Sequence, residues 1–430
     1  MSVLANKSAL ALICLPHHQK ILIPVLQALQ TQGVAVSYTT VAAEAGFEMT
    51  LIDAGLPYIH VQEYMLRCTT QIQAAWREVR NEWQARVVKS RWTLQAVPLT
   101  IQDKILRSAV ENHFCFQALV EDVKPDMVFA LHELNSWGKL LGYAAWERNI
   151  PFFTFQEGLC YAHPWLYSFY TEYTTKCFCW GEADAQVLID ARCDPDKIVQ
   201  VGSIDLGPAI KRTQNPDVVS QTRKKFGIDP GMKVVVFLMS NSTYNAVDPT
   251  PYFRWCVRNG VATIFKWHPS ESKETMDRAT TYLRNMPYAV HVQDCDTYAL
   301  LAMADACVCV GNSTTGIEAL AYGKLLVDMP LPGQVYSYWE QGVAPKAEGF
   351  TDVHVEIEKL WNEGISAERQ SAIQRYLARS FAYQDDKTVG RIVAVVEEVM
   401  KDHERHKQNG AAQIEGHHHH SYDPAQTLPL

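Results

Sequence analysis

The sequence predicts an α/β protein of two doubly wound domains, each built on an open parallel sheet, with their strand ends facing each other across a cleft. Three observations carry this expectation. Short, nearly continuous apolar segments alternate with amphipathic stretches, as they do when parallel strands are buried on both faces. The alternation runs twice, on either side of a polar stretch bearing Gly207-Pro208 and Asn215-Pro216. Finally, 430 residues exceed what one hydrophobic core organises.

The first series reads strand Ala9-Leu15, helix Lys20-Gln30, strand Val34-Thr39, a short helix near Ala42-Ala54 and strand Tyr58-Val61. Gly33 and Gly55 stand where helices should stop. The pattern resumes with strand Met127-Leu131, helix Trp137-Glu147, strand Phe152-Phe155, strand Lys176-Trp180 and helix Ala183-Ala191. Between them, about 64–124, two helical segments form an insertion. Its stretch Arg67-Trp92 holds six basic residues (Arg67, Arg77, Arg80, Arg86, Lys89, Arg91) against Glu78 and Glu82, interleaved with Trp76, Trp83 and Trp92. Such a segment suits an anionic membrane surface or an acidic acceptor. The plainer expectation is a helical hairpin that caps the sheet and solvates its arginines.

Residues 1–204 thus form the first domain, and 205–229, rich in Pro, Gln, Asn and charge, read as the linker. The second domain, 230–401, reads strand Lys233-Met239, helix Thr250-Asn259, strand Thr263-Trp267, helix Lys273-Asn285, strand Ala289-Val292, helix Thr297-Ala304, strand Ala306-Val310, helix Gly316-Tyr322 and strand Leu325-Asp328. Long amphipathic helices follow, one expected to cross back and brace the first domain. Residues 402–430 are polar and read as a flexible tail, and His417-His420 within it make a poor case for a catalytic metal.

Composition narrows the class. Hydrophobic residues at 47% against 20% charged describe a folding globule, neither disordered nor fibrous. Thirty-nine Lys+Arg against 47 Asp+Glu give a formal charge of -8, which argues against a general nucleic-acid binder. Several of the 11 cysteines lie inside apolar runs and none forms a CxxC pair, the pattern of buried free thiols in a reducing compartment. Lys7 precedes an apolar run that ends at Pro16 without a small-residue cleavage site, so it reads as a strand rather than a signal peptide. No apolar run approaches the ~18 residues that span a bilayer. The expectation is a cytoplasmic protein.

In open parallel sheets ligands bind at the carboxyl edge, so the chemistry should lie in the strand-end loops. The strongest is Val308-Cys309-Val310-Gly311-Asn312-Ser313-Thr314-Thr315-Gly316-Ile317-Glu318. A buried strand ends in small and hydroxyl residues and then opens a helix, so free N–H groups over Asn312 to Gly316 form a candidate diphosphate cradle. Glu318, in the first turns, is placed to accept hydrogen bonds from a ribose diol. His268, in Trp267-His268-Pro269-Ser270, is a candidate donor to a phosphate oxygen. Ser240 and Asn241, in Met239-Ser240-Asn241-Ser242-Thr243, add hydroxyl and backbone donors.

These segments resemble the GT-B superfamily of glycosyltransferases, and more particularly bacterial surface-polysaccharide transferases and CDP-glycerol glycerophosphotransferases. Those families carry a strand-HP loop and a later G-[NS]-S-[ST]-x-x-x-E-A-x-x-x-G segment, read here as Trp267-His268-Pro269 and Gly311 to Gly323. The resemblance spans roughly residues 8 to 400. It implies two Rossmann-like domains, the C-terminal one holding a nucleotide-linked donor and the N-terminal one an acceptor. Carried over, His268, Ser313, Thr314 and Thr315 bind the diphosphate and Glu318 the ribose. The implied partners are a nucleotide-sugar donor and a glycan or lipid-linked acceptor, in surface glycan synthesis.

Asp294-Cys295-Asp296 spells a DxD metal motif, but Asp296 stands directly before the helix Thr297-Ala304 and reads as its N-cap; no metal ion or other cofactor is expected. An inverting transfer needs one general base from the first domain. The candidates are His18, ranked first, then Glu157, with Glu133 and His17 behind; histidine titrates near neutrality, whereas a glutamate needs burial. Three alternatives remain: a UDP-N-acetylglucosamine 2-epimerase, whose HPR loop departs from the Pro269-Ser270 found here, a glycerophosphotransferase, and a non-catalytic carbohydrate-binding or scaffold protein.

Overall fold

A computed structural model describes residues 2–41, 51–89, 99–160, 167, 170–240, 249–269, 271–277, 289–311, 313–331, 334 and 336–408, with backbone alone at 16, 86–89 and 99. The chain forms two lobes, each on a wholly parallel sheet. The first sheet has seven strands: β1 (Ser8–Leu12), β2 (Ala35–Thr40), β3 (Tyr58–His60), β4 (Met127–Phe129), β5 (Phe152–Phe155), β6 (Lys176–Cys179) and β7 (Ile198–Gln200), in the order β3-β2-β1-β4-β5-β6-β7. The second has five: β8 (Lys233–Met239), β9 (Val261–Lys266), β10 (Ala289–Val292), β11 (Ala306–Val310) and β12 (Leu325–Met329), in the order β10-β9-β8-β11-β12. The central strands are buried along nearly their whole length, as continuous apolar runs require when helices cover both faces.

Strand order reverses between β1 and β4 in the first sheet and between β8 and β11 in the second. Such switch points open crevices at the carboxyl edge, because the chain leaves neighbouring strands toward opposite faces. The loops after β1, β4, β8 and β11, which hold most of the candidate residues, are the loops that flank these two crevices.

The insertion is a helical hairpin, α2 (Thr69–Lys89) against α3 (Leu99–Val123), around Cys68, Ile72, Val110 and Ala118. Three of its arginines are exposed but paired on the hairpin surface: Arg67 meets Asp122 at 2.6 Å, Arg80 meets Asp103 at 2.9 Å and Arg107 meets Glu111 at 2.9 Å. The local excess of positive charge is thereby partly neutralised. Among the described residues no helix is long and apolar enough to cross a membrane.

The stretch expected as a linker is helical. It forms Leu206–Thr213 and Pro216–Lys225, the latter capped by the Asn215 side chain, which accepts from the Asp217 N–H at 3.0 Å. Leu206 belongs to the second lobe's core, so that lobe begins here. The last helix, Thr388–Gln408, does return: its Ile392, Val393, Val396 and Met400 share a core with Leu22, Leu26 and Leu29 of α1 (Pro16–Gln30). Helix expectations over 42–50 and 278–285 and the tail histidines lie outside the described residues. The 11 cysteines are free, and all but Cys295 are buried.

Candidate functional site

Between the lobes lies a cavity of about 200 Å³. The first lobe and its exit strand contribute Ile21, Gln156, Glu157, Trp180, Ser203 and Asp205; the second contributes Thr314, Thr315 and Glu318. The lobes approach closely there: a Cβ on Gly158 would lie 3.0 Å from the Thr314 hydroxyl oxygen. Larger side chains at 158 would press the two loops apart.

On the first lobe, three adjacent strand ends converge. Glu157, after β5, accepts a hydrogen bond from His132 Nε2 at 2.9 Å on Oε2, while His17 Nε2 stands 2.6 Å from Oε1 as an ion-pair contact rather than an aligned hydrogen bond. Burial alone would raise the Glu157 carboxyl; the contacts with His132 and His17 outweigh it and hold the group well below the usual carboxylate range. Glu157 and His17 remain 43% exposed; Glu157 lines the cavity, and His17 stands beside it, near enough to His268 of the second lobe to act on it. Gln156 supports the loop, accepting from the Trp180 N–H at 2.7 Å and donating to the Gly158 carbonyl at 2.8 Å.

His18 takes the opposite direction. It is 2% exposed, its Nδ1 accepts the Cys14 N–H at 3.3 Å, and burial followed by the nearby charges of His17 and His132 pushes its pKa down to about 3. A ring held neutral with one nitrogen committed is a weak base, at odds with its first rank as the acceptor-activating group. The reason is local: α1 begins at Pro16, so the two histidines occupy a helical first turn, and consecutive helical residues face different ways. Glu133 is also withdrawn. Its carboxylate accepts from the Thr174 hydroxyl and from the Tyr173 N–H at 3.1 Å, and burial raises its pKa to about 7. It anchors the chain before β6 and does not line the cavity.

On the second lobe, α10 (Thr315–Ala321) follows β11. The cradle is narrower than the sequence suggests. The Gly316 N–H donates to the Ser313 carbonyl at 3.1 Å, and the Ile317 N–H donates to the Thr314 carbonyl at 3.1 Å and to the Tyr338 hydroxyl at 3.0 Å. Tyr338 in turn donates to the Ser313 carbonyl at 2.7 Å. This buried tyrosine pins the loop, and a Cβ at Gly316 would come within 2.5 Å of its ring. Thr314 and Thr315 are the loop residues that face the cavity; Ser313 is buried beneath them. Ser240 lies under the same edge, donating its N–H to the Val310 carbonyl at 3.1 Å. Asn241 and Asn312 lie outside the described residues.

Glu318 accepts from the Tyr298 hydroxyl at 2.8 Å, and its pKa rises to about 7 through burial first and the Asp205 charge second. Asp205 is raised as well, by burial. Two carboxylates, Asp205 and Glu318, therefore line the cavity together, with Tyr298 holding the second. His268 is exposed at the end of β9 and does not line the cavity; burial of part of its ring and the Lys266 charge lower its pKa, and His17 and Glu157 are near enough to act on it. Asp296 caps its helix by accepting the Ala299 N–H at 3.1 Å and pairs with Arg212 at 2.6 Å, which accounts for that half of the DxD.

His132, Gln156, Trp180, Ser203 and Asp205 are site residues that sequence reasoning did not single out. His132 and Gln156 sat in strand-end loops already under scrutiny, whereas Asp205 fell in the presumed linker.

No family model matches the chain, and no curated protein does. Solved structures do. The UDP-N-acetylglucosamine 2-epimerase of Neisseria meningitidis, solved bound to UDP-GlcNAc, is similar at a TM-score of 0.59 and 12% identity, covering 91% of this chain and 100% of that one. A glycosyltransferase from Rickettsia africae ESF-5 is similar at 0.56 and 12%, covering 92% and 99%. The fold is that of the GT-B superfamily. Anabaena HepE, solved in complex with UDP-glucose, is similar at 0.53 and 13%, covering 92% and 100%. In this fold the interlobe cavity is where the carboxyl edges of both sheets meet.

Proposed function

We propose that this chain is a glycosyltransferase that moves a sugar from a nucleotide-diphosphate donor to an acceptor hydroxyl in surface glycan synthesis. One observation carries the reading: a single cavity has Glu157, backed by its ion-pair contact with His17, on its first-lobe side and Thr314, Thr315 and Glu318 on its second-lobe side. The chemistry assigns each side a task. Glu157 faces His17 Nε2 and favours the tautomer that leaves Nδ1 free to take the acceptor proton. The acceptor oxygen attacks the anomeric carbon as the bond to the diphosphate oxygen breaks. Thr314 and Thr315 hydroxyl groups, with His268 at the rim, meet the charge that develops on the leaving group. Glu318, steadied by Tyr298, accepts from the ribose diol. His132 acts as a positioning residue through Glu157. The base role thus passes from His18 to His17.

The similar structures solved with UDP-GlcNAc and UDP-glucose support uridine diphosphate sugars as the first donors to test. The same neighbours favour a second reading, 2-epimerisation of UDP-N-acetylglucosamine in this cavity. A thermal-shift series with UDP, CDP and GDP, followed by incubation with the matching sugar nucleotides with and without acceptor glycans, separates the two. Acceptor-dependent release of nucleoside diphosphate supports transfer; acceptor-free conversion of UDP-N-acetylglucosamine to its epimer replaces it. Absence of any nucleotide binding defeats both.

A further inference from the structure

We infer that the chain carries a second ligand site, a groove of about 520 Å³ distinct from the transfer cavity, built to hold a saccharide that bears an anionic group, carboxylate or phosphate. One wall is the helix Glu182–Asp190 of the first lobe, the other the helix Ala367–Ser380, and Tyr336 and Gln341 close it from the second lobe.

The charge comes from Arg375 and Arg379, one helical turn apart on the same helix and both lining the groove. Arg375 is exposed and holds no ion pair among the described residues, and Arg379 touches Glu182 at 3.4 Å with both partners more than half exposed. An exposed contact of that kind exchanges readily for a ligand anion. Two arginines facing one groove are notable in a chain of net charge -8. Around them the lining alternates in character. Leu159, Val187 and Ala372 offer apolar surface to the C–H face of a sugar ring, and Gln186 and Gln341 offer paired donors and acceptors to its hydroxyl groups.

At the floor lies Asp184, 2% exposed. Its Oδ1 accepts the Cys160 N–H at 2.8 Å, while its Oδ2 makes no well-aligned hydrogen bond among the described residues, although the Gln156 and Cys160 side chains are near enough to act on the carboxylate. Buried carboxylate oxygens are rarely left so, and a ligand hydroxyl group is the natural donor once the floor adjusts. The groove therefore presents a cationic wall, apolar surface and an acceptor at its base.

Its position ties it to the transfer site, and this link rests on the function proposed above. Leu159 and Cys160 follow Glu157 in the same loop, and the Tyr336 and Tyr376 hydroxyl groups are hydrogen-bonded beside Tyr338, whose own hydroxyl holds the Ser313–Ile317 loop. An occupant touches the loop that follows Glu157 directly and reaches the Ser313–Ile317 loop through the three tyrosines.

Two sources supply such chemistry, an acidic residue of the acceptor glycan or a free sugar phosphate. The test is calorimetric titration of the full chain with glucose 6-phosphate, glucuronic acid, a hyaluronan tetrasaccharide and, as neutral control, glucose. Repeating each with Arg375→Glu and Arg379→Glu, and titrating UDP in parallel, isolates the groove. We expect at least one charged saccharide to bind and glucose to bind about tenfold more weakly or not at all. Each charge reversal should weaken the charged ligand by about tenfold and leave UDP binding unchanged, as for loss of one charge-assisted contact. Tighter binding of the tetrasaccharide than of glucuronic acid assigns the groove to the acceptor; binding of glucose 6-phosphate alone assigns it to a free sugar phosphate. No binding by any charged saccharide, or binding indifferent to both reversals, overturns the proposal. Loss of UDP binding with the groove intact would instead defeat the transfer reading.

Discussion

His17 Nε2 and Glu157 Oε1 stand 2.6 Å apart although they leave the sheet from different strands, β1 and β5, with β4 between them. The intervening strand supplies His132, which holds the other carboxylate oxygen. A base assembled this way depends on the carboxylate for its tautomer. Replacing His17 by Ala should lower turnover by about 10²–10⁴-fold, and Glu157→Gln by a smaller but clear factor, with nucleotide affinity unchanged in both. Steady-state rates beside a nucleotide titration check this; unchanged rates would remove the pair from the mechanism.

His18 should behave as a structural residue. His18→Asn keeps an acceptor for the Cys14 N–H and is expected to hold turnover within about tenfold of the parent. The parent's ring, with its pKa lowered to about 3, is protonated more readily in the unfolded chain, so it withdraws stability as the pH falls through its ordinary value near 6.5 toward 3. Urea titrations at pH 7 and pH 4 should show the Asn variant losing less stability on acidification.

Tyr338 pins the loop beneath Thr314 and Thr315 through two hydrogen bonds. Tyr338→Phe should cost about 1–2 kcal/mol of stability and weaken nucleotide binding several-fold, because the loop loses both restraints. Gly316→Ala should be more damaging, since its Cβ meets the tyrosine ring. Thermal melts with and without nucleotide report both effects.

Glu133 sets the alkaline side. Its pKa, raised to about 7 from 4.5 by burial, means that the folded chain holds this proton more tightly than the unfolded one. That contribution is complete below about pH 4.5 and fades as the pH rises through 7. Glu133→Gln should therefore gain stability relative to the parent between pH 5 and pH 8, by at most about 3 kcal/mol. A flat difference across that range would show that burial is not the controlling cause.

Turnover should be indifferent to EDTA. Asp296 is engaged by the Ala299 N–H and Arg212, and the residues assigned to the leaving group are hydroxyl and imidazole donors. A rate that collapses with chelator and returns with Mg²⁺ would transfer that task to a metal ion.

The architecture was legible because buried parallel strands write themselves as apolar runs. Lys233–Met239, Ala289–Val292, Ala306–Val310 and Phe152–Phe155 were read at their observed limits. Helices within 205–229 were not, since a surface helix rich in Gln, Asn and Lys carries little apolar periodicity and its Pro216 sits at a helix start rather than in a break. Around the cavity, sequence pointed to strand ends that line it but not to the orientation of side chains leaving them. Neighbours such as His17 and His18 are equivalent in a string, and become a cleft residue and a core residue only once a helical turn separates them. Asp205 was invisible for another reason: its importance comes from Glu318, more than a hundred positions away.

The polypeptide passes between the lobes near Gly202–Gly207 and returns near Ser380–Thr388, where the Ala382 N–H reaches the Trp180 carbonyl at 2.8 Å and backbone from the return path lies against Gly202 and Gly207. The joint is a two-ply strap, crossed by the chain in both directions. It also means that the first lobe is interrupted in the gene, its final helix being translated only after the whole of the second. A ribosome must make the whole second lobe before the first can close over Leu22 and Leu26, and no single cut between the lobes divides these residues into two self-sufficient halves.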